Sequence, residues 1–350
     1  MNERSIGFGI LGSGNMARVY ADALATQVEG GHLVAVALGS RAPAFAEEYG
    51  IEAVADSASL GARGDVDVII IATPHSTHAA LAIGAAEAGK HVYLEKPMAM
   101  DIGECDAIIK ACRDNDVLLT VAKQTRHFQM STKAKQLLDE GAIGELMIVR
   151  AMSPFTSFGL GLDHWITHPG EGECFHDWGS HACDAFRWFT GSDAVRVYAD
   201  YANFSGIPAP MPTAAVQIRM ASGVICQAFL SYELPEPGLG TRSNNQYLLI
   251  GSRGMIEWDL DKVRVGSADG WETVWELENW VDPWQPAHPR RIGNSARQVD
   301  DVIAAIGEGR PPAISGEDGR AAIEMVQAAS ISAATGQAVS LPIDPSLLRG

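Results

Sequence analysis

The feature that most constrains the fold lies near the start, where the apolar run Ile6-Gly7-Phe8-Gly9-Ile10-Leu11 enters Gly12-Ser13-Gly14-Asn15-Met16-Ala17. In this G-x-G-x-x-A, Gly12 permits a tight turn, Gly14 lets an anion approach the backbone, and Ala17 lets a helix lie close to the strand. The motif alone is weak. Here it opens a longer alternation, which is the context it requires. Strand-like runs at 6–11, 33–38, 68–72, 91–94 and 117–122 alternate with helical stretches at 16–27, 44–49, 77–88 and 102–114. Asp101-x-x-Glu104 is a capping-box signal at the head of the last helix. This spacing predicts βαβ units around a parallel sheet, a doubly wound α/β domain.

Beyond residue 145 the pattern changes to period-2 runs at 145–152, 194–203, 213–220, 224–232, 246–250 and 254–260. Ser222-Gly223 and Ser252-Arg253-Gly254 are turn signals between them, so antiparallel hairpins are expected, followed by helices near 295–307 and 317–334. The expectation is a dinucleotide-binding domain over 1–123, then an α+β domain on an antiparallel sheet over 124–350. The 350 residues suffice for two cores, and 47% hydrophobic content excludes a disordered chain. No apolar run nears a membrane span, and the first residues do not read as a signal peptide. Five cysteines without a CxxC pair argue against a disulfide framework. A net charge of −17 argues against nucleic-acid or anionic-membrane partners. A cytoplasmic protein with a small-molecule substrate is expected.

An acidic residue at the end of the second strand would bind a ribose 2′-hydroxyl, but this chain has Leu38-Gly39-Ser40-Arg41 there. Ser40 and Arg41 suit a 2′-phosphate, which favours NADP over NAD; the competing reading of Arg41 is a solvated charge at a helix entry. Thr73, Pro74 and His78 follow one strand and Glu95-Lys96-Pro97 another. Ligands of such sheets sit at these carboxyl ends, which places Lys96 near a nicotinamide, where burial and a positive ring lower an ammonium pKa.

The segment from Gly170 to Phe189 is the other dense region. Wound as one α-helix, it puts Phe175, Trp178, Ala182, Phe186 and Phe189 on one face and Asp177, His181, Asp184 and Trp188 on the other. Asp177 can then orient His181 as a general base. A metal site from Cys174, His176, Asp177, His181 and Cys183 is disfavoured, because these residues lie on different faces and match no zinc spacing. A structural polar helix face, simply solvated or capped, is the remaining alternative.

With these residues in view, the chain resembles the Gfo/Idh/MocA oxidoreductases (glucose–fructose oxidoreductase, inositol dehydrogenase and relatives). The likeness rests on Gly12–Ala17, Thr73-Pro74 with His78, Glu95-Lys96-Pro97, Arg126-His127-Phe128, 138–145, Gly170 to Asp184, 309–320 and Ser340-Leu341-Pro342. It implies a Rossmann domain, then a large, mostly antiparallel, open-faced sheet that forms homodimers or homotetramers. It also implies hydride transfer between nicotinamide and a secondary alcohol of a sugar, cyclitol or glycoside. Carried over by position, Lys96, Asp177 and His181 form the catalytic group, with either Lys96 or His181 as proton acceptor. Gly12, Ser13, Gly14, Asn15, Met16, Ser40, Arg41, Thr73, Pro74, His78, Glu95, Lys96 and Pro97 are the cofactor-binding candidates. Arg126, His127, Asp163, His164 and Trp165 join the catalytic trio as substrate contacts, and Trp271, Trp275, Trp280 and Trp284 suit either a sugar face or an interface.

The chain departs from the family in two places: the glycine triplet reads Gly170-Glu171-Gly172-Glu173, and Trp178 fills a slot usually small. A redox-neutral enzyme that retains its nucleotide and processes glycosides is an alternative function. A non-catalytic nucleotide sensor is another, although it would have no reason to keep Lys96, Asp177 and His181 together.

Overall fold

The computed structural model describes residues 5–156, 168–206, 210–234, 246–259, 261–277 and 289–348. The first alternation becomes β1 (Ile6–Leu11), α1 (Asn15–Thr26), β2 (Gly31–Ala37), α2 (Ala42–Tyr49), β3 (Glu52–Ala53), α3 (Ser57–Gly61), β4 (Val68–Ile71), α4 (His78–Glu87), β5 (His91–Leu94), α5 (Ile102–Asp114) and β6 (Leu119–Val121). The six strands form one parallel sheet in the order β3-β2-β1-β4-β5-β6. The order reverses beside β1 and β4, which opens a crevice at their carboxyl ends. The short β3 and α3 carry too few apolar residues for their period to show in the sequence. At the head of α5 the Glu104 N–H donates to Asp101 Oδ1 at 2.8 Å, while Glu104 Oε2 accepts from the Met100 N–H at 3.0 Å. The return bond of this capping box therefore lands one residue ahead of the cap.

The second sheet follows α6 (Gln129–Asp139) and takes β7 (Leu146–Thr156). After α7 (Ser180–Thr190) come β8 (Ala194–Ala202), β9 (Thr213–Met220), β10 (Ile225–Leu234), β11 (Gln246–Gly251), β12 (Met255–Trp258), β13 (Lys262–Ser267) and β14 (Gly270–Glu276). Helices α8 (Pro289–Glu308) and α9 (Gly316–Thr335) precede the short β15 (Val339–Ser340). Nine strands pair in the order β14-β13-β12-β11-β7-β10-β9-β8-β15, antiparallel throughout except for β10 beside β7. Both expected hairpins form, β9–β10 across Ser222-Gly223 and β11–β12 across 252–254. The hairpin β13–β14 was not expected, although Lys262-Val263-Arg264-Val265 alternates charged and apolar residues.

The chain divides into two compact units, residues 1–127 with 281–320 and residues 128–280 with 321–350. In the first, Phe8, Ile10, Tyr20, Phe45, Val68, Ile70 and Tyr93 pack with Val299 and Val302 of α8. In the second, alternate residues of the sheet are buried (Val149 and Ala151, Val197 and Ala199, Val216 and Ile218, Cys226 and Ala228) together with Phe175, Phe186 and Phe189. Their strand neighbours Tyr198, Gln217, Gln227 and Phe229 point to the other face and are exposed. All five cysteines are buried thiols. Among the described residues, no helix is long and apolar enough to cross a membrane.

Candidate active site

In the first unit the glycine turn forms an open cradle. Gly14 is the N-cap of α1, with no side chain bonded across it and no acidic residue in the first turn, so the helix presents its amides and positive dipole end. Gly12 has φ +107°, and a Cβ there would run into the Ala72 carbonyl. A Cβ at Gly14 would meet only Arg41 Nη2, 3.8 Å away. The first glycine is therefore required by the turn, and the second leaves space that a phosphate can use. Asn15 and Met16 begin α1, and Ser13 is buried against Gly39. Leu38 and Gly39 are both left-handed, with φ of 67° and 88°. This bend after β2 is followed by the exposed Ser40 and by Arg41, whose guanidinium reaches Gly14. These residues fit a dinucleotide.

The loops after β4 and β5 are bound to each other. His78 is fully buried, with Nδ1 2.8 Å from the Pro97 carbonyl and Nε2 3.1 Å from the Thr73 carbonyl. The His78 ring thus lies between Thr73-Pro74 and Lys96-Pro97, and in its neutral form its one N–H donates to one of these two carbonyls. Glu95 is buried and accepts from the Tyr20 hydroxyl at 2.5 Å and from the Lys96 N–H at 3.0 Å. Burial pushes the Glu95 carboxyl up, while Tyr20, Lys96 and Arg291 pull against that shift. The Tyr20 phenol is raised well above its usual range by burial and by the Glu95 charge, so it remains a donor. Lys96 is partly buried.

Several residues here were missed by sequence reasoning. Tyr20 and Tyr93 were not singled out, yet the Tyr93 hydroxyl donates to Gln298 Oε1 at 3.0 Å, and the same oxygen accepts the Lys123 N–H. Lys123 has no exposed surface. A lysine and a glutamine so far apart in sequence carry no local signal of their meeting. Of the expected substrate contacts, Arg126 lies 3.4 Å from Asp318 in an ion pair. Burial pulls His127 down to about 4, with Arg297 and Arg126 adding to that effect.

In the second unit, Gly172 has φ +90°, and a Cβ there would strike the His176 ring. Glu173, in the altered glycine segment, accepts from Ser330 Oγ of α9 at 2.6 Å, and its carbonyl accepts the N–H groups of His176 and Asp177. The expected single α-helix is modified: Phe175–Gly179 form a π-helical turn before α7 begins at Ser180. A wide turn breaks the uniform 100° winding, and such turns recur at functional sites. Asp177 and Asp184 are both buried, so a solvated polar face does not describe this segment.

Asp177 Oδ2 accepts from the Tyr232 hydroxyl at 3.0 Å, a partner on β10 that spacing within the helix could not reveal. Burial and the Asp177 charge hold the Tyr232 phenol well above its usual range, so it too stays protonated. His181 is partly buried, its ring centroid 5.7 Å from that of Trp178. Trp271 is exposed on the edge strand β14 under Arg264, and Trp275 lies on the same strand. Asp163, His164, Trp165, Trp280 and Trp284 fall outside the described residues. Among the described residues, no three His, Cys, Asp or Glu side chains are placed to hold a metal ion.

Comparison with known proteins agrees with this architecture. The chain is 29% identical over 350 residues to an inositol 2-dehydrogenase of Rhizobium meliloti, covering 96% of this chain and 99% of that one. It is 26% identical to a myo-inositol 2-dehydrogenase of Thermotoga maritima over 95% and 98% of the two chains. The aldose-aldose oxidoreductase of Caulobacter crescentus has the same fold, with a TM-score of 0.83 at 24% identity over 97% of this chain and 100% of that one. Residues 6–123 match the oxidoreductase family with an NAD-binding Rossmann fold, and residues 131–257 match the GFO/IDH/MocA C-terminal domain. The chain is therefore a member of the Gfo/Idh/MocA family of NAD(P)-dependent oxidoreductases.

Proposed function

We propose that this protein moves a hydride between nicotinamide C4 and the carbinol carbon of a sugar, cyclitol or glycoside. The observation that carries this reading is the buried Asp177 carboxylate, held by Tyr232, four residues before His181 on the turn that leads into α7. An orienting carboxylate raises the basicity of an imidazole and fixes its tautomer. His181 takes the hydroxyl proton as the carbinol C–H leaves as hydride, Asp177 stabilises the resulting imidazolium, and the Lys96 ammonium polarises the substrate oxygen. Bound nicotinamide supplies the hydride acceptor, or the donor in the reverse direction. The inositol dehydrogenase relatives support a cyclitol or similar ring as substrate.

NADP is the favoured cofactor, supported by the lack of a carboxylate over 38–41 and by the Arg41 guanidinium beside Gly14. Assembly into a homodimer or homotetramer through the exposed sheet face is supported by Tyr198 and Phe229 there. The test is nicotinamide absorbance with a panel of cyclitols, sugars and glycosides, NADP and NAD in parallel, with Lys96→Ala as control. Turnover of one substrate class that is lost in the variant supports the reading. Equal or better activity with NAD defeats the NADP preference, and silence with nucleotide still bound favours a redox-neutral or sensing role.

A further inference from the structure

Wound uniformly, the segment from Gly170 would put Trp178 on the apolar face with Phe175 and Phe186, and His181 on the opposite one. The π-helical turn at Phe175–Gly179 undoes that separation. From Cys174 to Phe186, Trp178 and His181 are the two residues that are not buried. Their ring centroids lie 5.7 Å apart, with 46° between the planes. The core at this point is already filled by Phe175 and Phe186, both without exposed surface. The indole therefore sits beside the imidazole, in a slot usually small in the family, and the fold does not require it there.

An indole attracts a cation within ~6 Å of its ring centroid, and a neutral ring less. Strands β7 and β10 pack against α7 and the turn. Their buried faces bring apolar residues, Ser153, the Cys226 thiol and the Tyr232 phenol, which stays protonated. The charged groups on the segment itself are Glu173, bonded to Ser330 of α9, the buried Asp177 and Asp184, and Arg187, paired with Asp193. We propose that Trp178 is a positioning residue whose indole favours the imidazolium form of His181. The proposal rests on His181 as the proton acceptor. As hydride leaves the carbinol carbon for nicotinamide C4, the hydroxyl proton passes to His181, and the indole attracts the charge that then appears on the ring.

The ring protons of His181 are followed by NMR titration in wild type, Trp178→Phe and Trp178→Leu, with His181→Gln assigning the signal. On the same proteins kcat/KM is measured against pH. Leu keeps an apolar cover and removes the π face, whereas Phe keeps a weaker one. The expected result is a titration midpoint lower by about half a pH unit in the Leu variant and by less in the Phe variant, the scale of a cation–π contact. The acid limb of kcat/KM should move down with it, and the plateau should fall about two- to fivefold. Water admitted by a smaller side chain would move the midpoint up, so the direction separates the π contact from a loss of cover. A midpoint unchanged or raised in both variants overturns the proposal. If the Leu variant does not fold, Phe against wild type decides in the same way. A midpoint that falls while the acid limb stays fixed supports the indole contact and overturns His181 as the proton acceptor, so the two failures are told apart.

Discussion

Two buried carboxylates, one in each unit, are held in the same way and differ in how they came to be there. Glu95 accepts from Tyr20 and Asp177 from Tyr232, at 2.5 Å and 3.0 Å. Glu95 directly follows the parallel strand β5, and burial pushes its carboxyl up although Tyr20, Lys96 and Arg291 pull the other way. Asp177 sits on a π-helical turn whose start is tied through Glu173 to Ser330. The first arrangement suits a group that shapes a cofactor pocket. The second suits a group whose orientation, set by an irregular turn, is the point of its position. A strained or irregular backbone is retained where surrounding contacts over-determine it.

This contrast is broken most forcefully at Asp177. Asp177→Asn keeps the shape and removes the charge, and turnover should fall by about 10²–10³ while the nucleotide dissociation constant stays near wild type. Steady-state kinetics with fluorescence titration check it; a variant that loses both together would make Asp177 structural. Tyr232→Phe is the next largest effect. Removing a hydrogen bond to a charged group should lower kcat about tenfold, with KM for the nucleotide unchanged.

Tyr20→Phe, the matching change in the first unit, should act on stability instead. Leaving Glu95 with one donor fewer should cost about 1–3 kcal/mol in denaturant unfolding, with kcat within about threefold of wild type. If Tyr20 and Tyr232 gave the same kinetic signature, the distinction between the two carboxylates would collapse.

The last effect is a pH dependence in the first unit. His127 titrates near 4 in the folded chain and near the ordinary ~6.5 when unfolded. Between those values the unfolded state binds more protons, so the stabilisation is complete above about 6.5 and is lost as the pH falls toward about 4. Melting temperatures of wild type and His127→Gln from pH 7 to 4 check it: wild type should lose more than the variant over that interval.

The same two carboxylates show what a sequence displays. Glu95-Lys96-Pro97 was legible because its residues are contiguous and follow a strand of continuous apolar character, and the glycine turn was legible because its spacing is a backbone requirement. The hairpins at Ser222-Gly223 and 252–254 were legible through their turns. Tyr20, Tyr232, Gln298 and Arg291 were not, because each reaches its partner across the fold from a position that reads as ordinary core or helix. The π-helical turn was invisible too, since a helical wheel assumes one winding throughout. Helical spacing singled out Asp177 and His181 without showing Tyr232, the side chain that holds the aspartate.

The most direct test of the account follows the hydrogen itself. A reactive cyclitol or sugar, deuterated on the carbinol carbon, is incubated with NADP and the enzyme, and the reduced cofactor is analysed by mass spectrometry and NMR. The account predicts one deuterium per turnover at nicotinamide C4, a slowed rate for the labelled substrate, and neither signal in Asp177→Asn within the wild-type reaction time. Deuterium released to water, or retained in product with no reduced cofactor, would contradict hydride transfer as the reaction of this chain.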